Sequence, residues 1–202
     1  LLLEAGGADN NLFIKMPAGV AKIIAKKSWP SETEPEPHAN NRRMQIAQGK
    51  VLGGSSSVNG MIYLRGQPQD YDDWAERYGC TGWSYREVLP YFKRAEANES
   101  LSDDYHGADG LLPGSENRYR HPLSMAFIRA GQELNLPYRN DFNGDSQHGV
   151  GFYQTTPHNG ARASTARTYL KAVRDERRLV VKLNARALRL PFEGHVATGV
   201  VY

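Results

Sequence analysis

The sequence has little of what marks a disulfide-stabilised or membrane-spanning protein. Its 202 residues include one cysteine, Cys80, which excludes an intrachain disulfide framework and any zinc site built from several cysteines. No run of apolar residues approaches the roughly 18 that a transmembrane helix requires. Because so few cysteines are typical of a reducing compartment, we expect a cytoplasmic protein, with peripheral attachment to a membrane as the alternative.

An excess of charge of one sign is also missing. The 25 lysines and arginines nearly balance the 22 aspartates and glutamates, which leaves a net charge of +3. A charge this small does not support nucleic-acid binding. The composition, 40% hydrophobic and 23% charged, is that of an ordinary globular protein and excludes disordered, collagen-like and coiled-coil classes.

Metal-binding patterns are lacking as well. The segment from Asp141 to Asp145 resembles the start of a calcium loop, but Ser146 and Phe152 stand where an EF-hand needs Gly and Glu. No two of the six histidines have the close helical spacing of a zinc site. We therefore expect no metal site, and structural or surface roles for the histidines.

The chain lacks an initiator Met and has apolar residues at both ends. It opens on Leu1-Leu2-Leu3 and closes on Val200-Val201-Tyr202, whereas domains usually begin and end in polar, exposed segments. We expect a piece of a longer protein, with residues missing at both ends.

Hydrophobic periodicity predicts strands interleaved with helices. The run Leu1 to Leu3 reads as a buried strand that ends at Glu4. Residues 8–60 show little periodicity, which is typical of a functional segment, with a disordered insertion as the alternative. Four helices are predicted, at residues 67–78, at 85–97 with a capping box from Ser84 to Glu87, at 122–134, and at 164–177 with Ser164 as N-cap.

The C-terminal part is predicted to be β-structure. A strand should cover residues 179–183, and a hairpin should pair residues 186–192 with 196–202 through a turn at Glu193-Gly194. This order of elements favours an α/β or mixed α+β architecture.

The strongest motif is the glycine- and serine-rich segment from Gly49 to Gly60. Gly53 and Gly54 can adopt backbone conformations closed to other residues and can approach a ligand closely. Successive backbone N–H groups of such a loop can hold an anion. The segment does not match a Walker A loop. By composition alone, a cofactor loop and a simple glycine-serine turn remain equally open.

Glu4 is the second candidate. An acidic residue at the end of a strand in a dinucleotide-binding fold bonds the ribose hydroxyls of the cofactor. The glycine-rich turn of that fold would lie about 20 or more residues earlier, before residue 1. Taken alone, an apolar run that ends in Glu is a common pattern.

Together the motifs resemble the glucose-methanol-choline (GMC) family of FAD-dependent alcohol oxidoreductases, in particular its bacterial choline dehydrogenase and alcohol dehydrogenase branch. One family signature is matched along its length from Gly49 to Asp72. Further family-like segments span the chain: Asp70-Tyr71-Asp72-Asp73-Trp74, Gly82-Trp83-Ser84-Tyr85, Leu89-Pro90-Tyr91-Phe92, Asp141-Phe142-Asn143-Gly144, Asn159-Gly160-Ala161-Arg162-Ala163-Ser164 and Ala197-Thr198-Gly199-Val200.

The resemblance implies a fold and a domain division. The fold would be α/β (mixed α+β), a Rossmann-like FAD/NAD(P)-binding domain with the start of an inserted substrate domain. Residues 1–113 would belong to the FAD-binding domain, 114–158 would begin the substrate domain, and 159–202 would return to the FAD-binding domain.

The resemblance also implies a cofactor site for FAD. Glu4 would bind the adenosine ribose, Val51 and the turn at Gly53 to Ser55 would lie along the cofactor, and Ala187 would mark the backbone near the adenine. The remaining implied cofactor-binding residues run beside the pyrophosphate and flavin: Asn59, Gly60, Met61 and Ile62. Some relatives attach the flavin through a His at the position of Val58, so we expect non-covalent FAD here.

By the same resemblance the chain would belong to an enzyme that transfers a hydride from a primary alcohol, choline-like or otherwise small and aliphatic, to the flavin. The electron acceptor would be oxygen or a quinone-like carrier. The family's catalytic histidine should lie C-terminal to Tyr202, so the fragment alone should be inactive. The alternatives are a non-catalytic scaffold or binding module and a different FAD or NAD enzyme; the full-length signature argues against the latter.

Overall fold

The computed structural model describes all 202 residues. By backbone contacts they form two compact units. The first unit comprises Leu1–Gly60 and Asn159–Tyr202, and the second comprises Met61–His158. None of the helices has the length and apolarity that crossing a membrane would require.

The first unit contains six short strands and two short helices. They are β1 (Leu2–Leu3), α1 (Leu12–Lys15), α2 (Val20–Ile23), β2 (Ser31–Glu32), β3 (Gln45–Ile46), β8 (Val181–Lys182), β9 (Phe192–Glu193) and β10 (Val196–Ala197). The β1 strand pairs in parallel with β8, whereas β2 pairs with β3 and β9 with β10 in antiparallel fashion. Residues 8–60 are therefore organised by α1, α2 and the β2–β3 pair.

The core of the first unit is small and aliphatic. Ile14 of α1, Ile23 of α2, Val51 and Val58 are each at most 3% exposed and pack together. Because Val51 and Val58 lie near the two ends of the glycine- and serine-rich segment, burial of these two side chains anchors both ends of that segment.

The second unit is built from three helices and four strands. They are α3 (Pro68–Glu76), α4 (Tyr85–Ala95), β4 (Glu96–Asn98), β5 (Leu112–Gly114), α5 (Pro122–Glu133), β6 (Tyr138–Arg139) and β7 (Val150–Gly151). The strands pair in parallel, β4 with β5 and β6 with β7.

The predicted helices of the second unit are confirmed. Ser84 and Glu87 form the capping box that begins α4, because each side chain bonds the backbone N–H of the other residue. A second capping box, between Gln67 and Asp70, begins α3. The α4 helix continues through Pro90 to Ala95.

The predicted helix over 164–177 is wrong in extent and in its cap. A π-helical turn covers Ala166–Leu170 and helical structure ends two residues later, at residue 172. Its N-cap is Thr165, and the Ser164 hydroxyl is buried without a partner. The burial prediction for the first strand is also wrong in part. Leu1, which precedes β1, is 65% exposed, and Leu2 and Leu3 are half-buried. Pairing with β8 covers an edge of β1 but not the faces to which its side chains point. A hairpin forms at the predicted place, but its ladder is shorter than predicted. Only β9 and β10 pair, with one further bridge between Arg189 and Val201, and Glu193 lies in β9 while Gly194 is in the turn at φ +59°.

Candidate functional site

Glu4 lies where β1 ends and the chain turns. The Glu4 N–H donates to Lys182 O (2.9 Å), and Glu4 O accepts from the Ala185 N–H (2.8 Å). The Glu4 carboxylate folds back over the turn and accepts a hydrogen bond from the Gly6 N–H over 2.6 Å. The strand pairing and the turn together fix the position of this carboxylate.

The turn after Glu4 packs directly against the glycine- and serine-rich segment. A Cβ at Gly6 would overlap the carbonyl group of Lys50, so only glycine permits this close backbone approach. The Leu52 N–H donates to Gly7 O over 2.9 Å. Two segments about fifty residues apart in sequence are thereby joined side by side.

The loop that follows is shaped by two left-handed glycines, Gly53 at φ +89° and Gly54 at φ +56°. Its hydroxyl groups mostly bond the loop itself: Ser56 Oγ donates to Gly53 O (2.5 Å) and Ser57 Oγ to Leu52 O (2.7 Å). Ser55 Oγ accepts from the Gly49 N–H (3.0 Å). Because the polar groups of the loop form these hydrogen bonds with one another, the conformation of the loop is fixed before any ligand binds.

Thr165, the N-cap residue of the π-helical turn, holds the loop from the other side. The Thr165 N–H donates to Ser56 Oγ over 2.9 Å, and Thr165 Oγ1 donates to Gly53 O over 3.2 Å. The returning segment 159–202 thus contributes directly to the position of the two glycines.

Glu4 and the two glycines line one cavity of about 420 Å³. Its walls are otherwise mainly apolar: Leu2, Leu52, Thr165, Ala166, Tyr169, Leu170, Val173 and Leu179. A Cβ added at Gly54 would meet no protein atom within 4 Å, so the loop backbone faces open space there. A mainly apolar cavity with one carboxylate and an accessible glycine backbone is typical of a small-molecule or cofactor site.

Five other predicted residues of the first unit do not line this cavity: Val51, Ser55, Asn59, Gly60 and Ala187. Ser55 and Asn59 are exposed on the loop. Ala187 lines a different cavity of about 450 Å³ with Leu3, Ala5 and Trp29. Successive residues of a strand point to opposite faces, and β1 accordingly directs Leu2 and Glu4 to one cavity and Leu3 and Ala5 to the other. Val51 is fully buried in the core. Gly60 is exposed.

Met61 and Ile62 belong to the second unit. Met61 is buried at a left-handed φ of +63°. Ile62 is 58% exposed and lines an apolar cavity of about 480 Å³ with Leu123, Phe127 and Tyr153. The structure therefore brings Glu4, Gly53 and Gly54 together on one cavity, and places Ala187 and Ile62 on two others.

Arg162 is a residue of this region to which the sequence assigned no role. Its side chain is buried, and its Nη1 donates to both Asn59 O (2.9 Å) and Asn59 Oδ1 (2.7 Å). The available signal is that Arg162 belongs to the family-like segment Asn159 to Ala166. The sequence does not reveal that the arginine lies beneath a loop about a hundred residues earlier.

The second unit holds the strongest electrostatic interactions of the chain. Arg65 and Glu96 form a buried ion pair with Nη2 and Oε2 2.7 Å apart. His106 is buried, with its Nδ1 2.9 Å from Asp103 Oδ1 and its Nε2 3.5 Å from Asp141 Oδ1. Burial acts to lower the pKa of His106, but the two carboxylates outweigh it and raise the pKa above its ordinary value.

These groups form a structural network, since their charges pair with one another and with backbone groups. Glu96 also accepts from the Gly107 N–H (2.9 Å) and from the Asn98 amide (2.9 Å). Burial is the main factor that raises the pKa of Tyr63, against the opposing effect of Arg65. No three His, Cys, Asp or Glu side chains are placed to hold a metal ion.

Comparison with known proteins gives matches along the whole chain. It is 46% identical to the oxygen-dependent choline dehydrogenase 1 of Chromohalobacter salexigens and 45% identical to the oxygen-dependent choline dehydrogenase of Paraburkholderia phymatum. All of the chain is aligned in both cases, and it spans 37% and 36% of the two relatives.

Solved structures match the fold. The crystal structure of pyridoxine 4-oxidase from Mesorbium loti has a TM-score of 0.92 at 32% identity, over 98% of this chain and 40% of that one. An FAD-dependent oxidoreductase from Chaetomium thermophilum has a TM-score of 0.88 at 27% identity, over 98% of this chain and 36% of that one. The predicted fold class, an FAD-binding domain of mixed helix and strand, is confirmed. A family model described as GMC oxidoreductase matches residues 2–202, and the chain belongs to this family.

Proposed function

We propose that the chain is the FAD-holding part of an enzyme that oxidises a primary alcohol. One observation carries the proposal: Glu4 and the Gly53–Gly54 turn line a single cavity in a chain that belongs to the GMC oxidoreductases. Choline or another small aliphatic alcohol is the proposed substrate, because oxygen-dependent choline dehydrogenases are among the relatives of the whole chain.

The residues around the cavity suit FAD in two respects. The Glu4 carboxylate can accept hydrogen bonds from ribose hydroxyls, as acidic residues at this position of dinucleotide-binding folds do. The open space beside Gly54 admits a ligand that must approach the backbone closely. We propose that Ser55 lies along the cofactor with the Gly53–Gly54 turn, and that Asn59 and Gly60 lie beside the pyrophosphate and flavin.

FAD, when bound, supplies the hydride acceptor of the reaction. The protein binds and orients it without a covalent bond. Val58, the position where some relatives carry the linking His, is 2% exposed and packs in the core, and its aliphatic side chain offers no nucleophile. Met61, Ile62 and Ala187 complete the proposed cofactor contacts.

No residue of the chain is proposed as the catalytic base. His106 is buried between two aspartates, and the other five histidines match no catalytic pattern. The chain spans 37% of the Chromohalobacter relative, and we place the base in the part of the enzyme beyond residue 202. We propose that residues 1–113 and 159–202 belong to the FAD-binding domain and that 114–158 begin the substrate domain, whereas backbone contacts group 61–113 with 114–158 in the second unit. We also propose a cytoplasmic location, and oxygen or a quinone-like carrier as the electron acceptor.

The test uses the full-length protein with its bound flavin under anaerobic conditions. Addition of choline or of short primary alcohols should bleach the flavin absorbance, and a matched tertiary alcohol should not, because it has no transferable hydrogen on the carbinol carbon. Admission of oxygen, or of a quinone dye without oxygen, then identifies the acceptor by the return of the colour.

Bleaching by a primary alcohol supports the proposal. If the protein carries flavin but no alcohol of the panel bleaches it, the oxidation reaction is wrong, and a non-catalytic FAD-binding module becomes the better interpretation. If the protein neither carries nor takes up flavin, the proposed cofactor is wrong as well.

A further inference from the structure

Arg162 is a buried cation without an anionic partner. Its side chain is 2% exposed, and its hydrogen bonds go to neutral oxygens only. Nε donates to Ile14 O (3.1 Å), and Nη1 donates to Ser56 O (3.2 Å), Asn59 O (2.9 Å) and Asn59 Oδ1 (2.7 Å). Nη2 is buried with no hydrogen-bond partner. No carboxylate offsets the charge, and burial alone lowers the pKa of Arg162.

This arrangement is energetically unfavourable by itself. A buried charge is normally paired with an opposite charge, because removal from water costs more than neutral hydrogen bonds return. The chain neutralises its other buried arginine, since Arg65 forms an ion pair with Glu96 at 2.7 Å. The unpaired charge at Arg162 therefore calls for an explanation other than the stability of the loop.

The contacts of Arg162 show what the guanidinium does to the loop. It bonds three backbone carbonyls, two of which, at Ser56 and Asn59, lie just after the Gly53–Gly54 turn. A guanidinium can only donate hydrogen bonds, so the oxygen end of the Asn59 amide must face Arg162. The Nδ2 group of Asn59, a donor, is thereby directed away from Arg162.

We propose that Arg162 is a positioning residue of the cofactor loop, which orients the Asn59 amide and supplies the positive potential that attracts the anionic diphosphate of FAD. The inference rests on the proposed function, because it takes FAD as the ligand of the loop. The proposal explains why Arg162 has no anionic partner within the chain, because the diphosphate of FAD supplies the negative charge when the cofactor binds. A carboxylate partner in the loop would stabilise the protein alone but would weaken FAD binding.

The first test compares two substitutions of Arg162 in the full-length protein, with the dissociation constant of FAD measured by titration of the flavin-free form. Arg162→Met removes the charge and should weaken binding about ten- to hundredfold, the range for loss of a charge-assisted interaction. Arg162→Lys retains the charge and should keep affinity between that of Arg162→Met and the wild type. Equal affinity in all three proteins would overturn the proposal.

The second test leaves Arg162 in place, so it does not depend on the folding of an arginine variant. Asn59→Asp puts a carboxylate next to Nη1. It should raise the melting temperature of the flavin-free protein and weaken FAD binding at least tenfold, two opposite changes that loss of a purely structural contact would not produce. Ser55→Asp is the control: it adds the same charge to the same loop at a side chain that bonds the Gly49 N–H and not Arg162, and should weaken binding without raising the melting temperature.

The outcomes separate the two proposals. If the wild-type protein binds no FAD, the proposed function fails and this inference fails with it. If the wild type binds FAD but Asn59→Asp lowers the melting temperature, or Arg162→Met binds FAD normally, the role of Arg162 is wrong while the proposed function stands.

Discussion

The Gly6 N–H donates a hydrogen bond to Glu4 Oε1 over 2.6 Å. This bond closes the turn after β1 and holds the Glu4 carboxylate at the edge of the cavity that Gly53 and Gly54 also line. The bond uses one carboxylate oxygen for structure. We propose that the other oxygen and the charge serve the cofactor.

Glu4→Gln separates the structural from the binding role of this residue. Because Gln retains a carbonyl oxygen at the same place, the bond from Gly6 can persist and the melting temperature of the flavin-free protein should stay unchanged. The affinity for FAD should fall about tenfold, because a charged acceptor for the ribose hydroxyls is lost. Titration of FAD measures the change, and Glu193→Gln in the exposed hairpin is the matched control. Unchanged affinity in Glu4→Gln would remove Glu4 from the site.

The flavin should come off the protein without chemical cleavage. Val58 is buried and aliphatic, so it offers no nucleophile for a covalent bond to the flavin. Precipitation of the flavin-loaded protein with acid should therefore leave all the yellow colour in the supernatant. Colour that stays in the washed pellet would contradict non-covalent binding.

The Arg65–Glu96 ion pair should be a major stabilising element of the second unit. Glu96→Gln leaves the buried Arg65 without its counter-charge and should lower the free energy of unfolding by about 3–5 kcal/mol. The exposed pair of Arg43 and Glu34, 3.4 Å apart, provides the control, since Glu34→Gln should cost about 1 kcal/mol or less. Chemical denaturation measures both variants. A loss in Glu96→Gln no larger than in Glu34→Gln would show that the pair contributes little.

His106 should give the protein a distinct dependence of stability on pH. Burial acts to lower the pKa of His106, but Asp141 and Asp103 outweigh burial and raise it. The folded state therefore binds the imidazolium proton more tightly than the unfolded state does. The stabilisation is complete below the unfolded pKa of about 6.5 and is lost as the pH rises through the raised folded pKa. For Asp103 and Asp141 hydrogen bonds from His106 outweigh burial and lower the pKa, so their contribution is lost as the pH falls through the lowered values.

The measurement is the melting temperature of the wild type and of His106→Gln from pH 5 to pH 9. The difference between the two proteins should be largest near pH 5–6 and should shrink toward pH 9. A constant difference over this range would show that His106 does not titrate between its two aspartates.

Local signals in the sequence predict the second unit well. The capping box of Ser84 and Glu87 depends on residues three positions apart, so the sequence alone fixes the start of α4. The cap predicted for the helix over 164–177 is wrong, and the N-cap residue in the structure, Thr165, bonds Ser56 and Gly53. These contacts span more than a hundred residues, and no local pattern contains them.

The candidate site, too, can be predicted only in part from local sequence patterns. Glu4 and the glycines of the loop are recognisable by pattern, but their common cavity depends on the close approach of Gly6 to Lys50. The role of Arg162 depends on burial among distant carbonyl groups. A family-like motif indicates that the segment matters but does not say which of its side chains is buried.

The most direct test of the central claim is the flavin content of two matched glycine variants of the full-length protein. Gly54 (φ +56°) and Gly194 (φ +59°) share the left-handed conformation, and a Cβ at either would meet no atom within 4 Å. Substitution by Val therefore imposes similar backbone strain at both sites, but only Gly54 lines the cavity with Glu4. We predict that Gly54→Val purifies with little or no flavin absorbance while Gly194→Val retains the wild-type flavin-to-protein ratio. Wild-type flavin content in Gly54→Val would contradict the assignment of this loop to the cofactor.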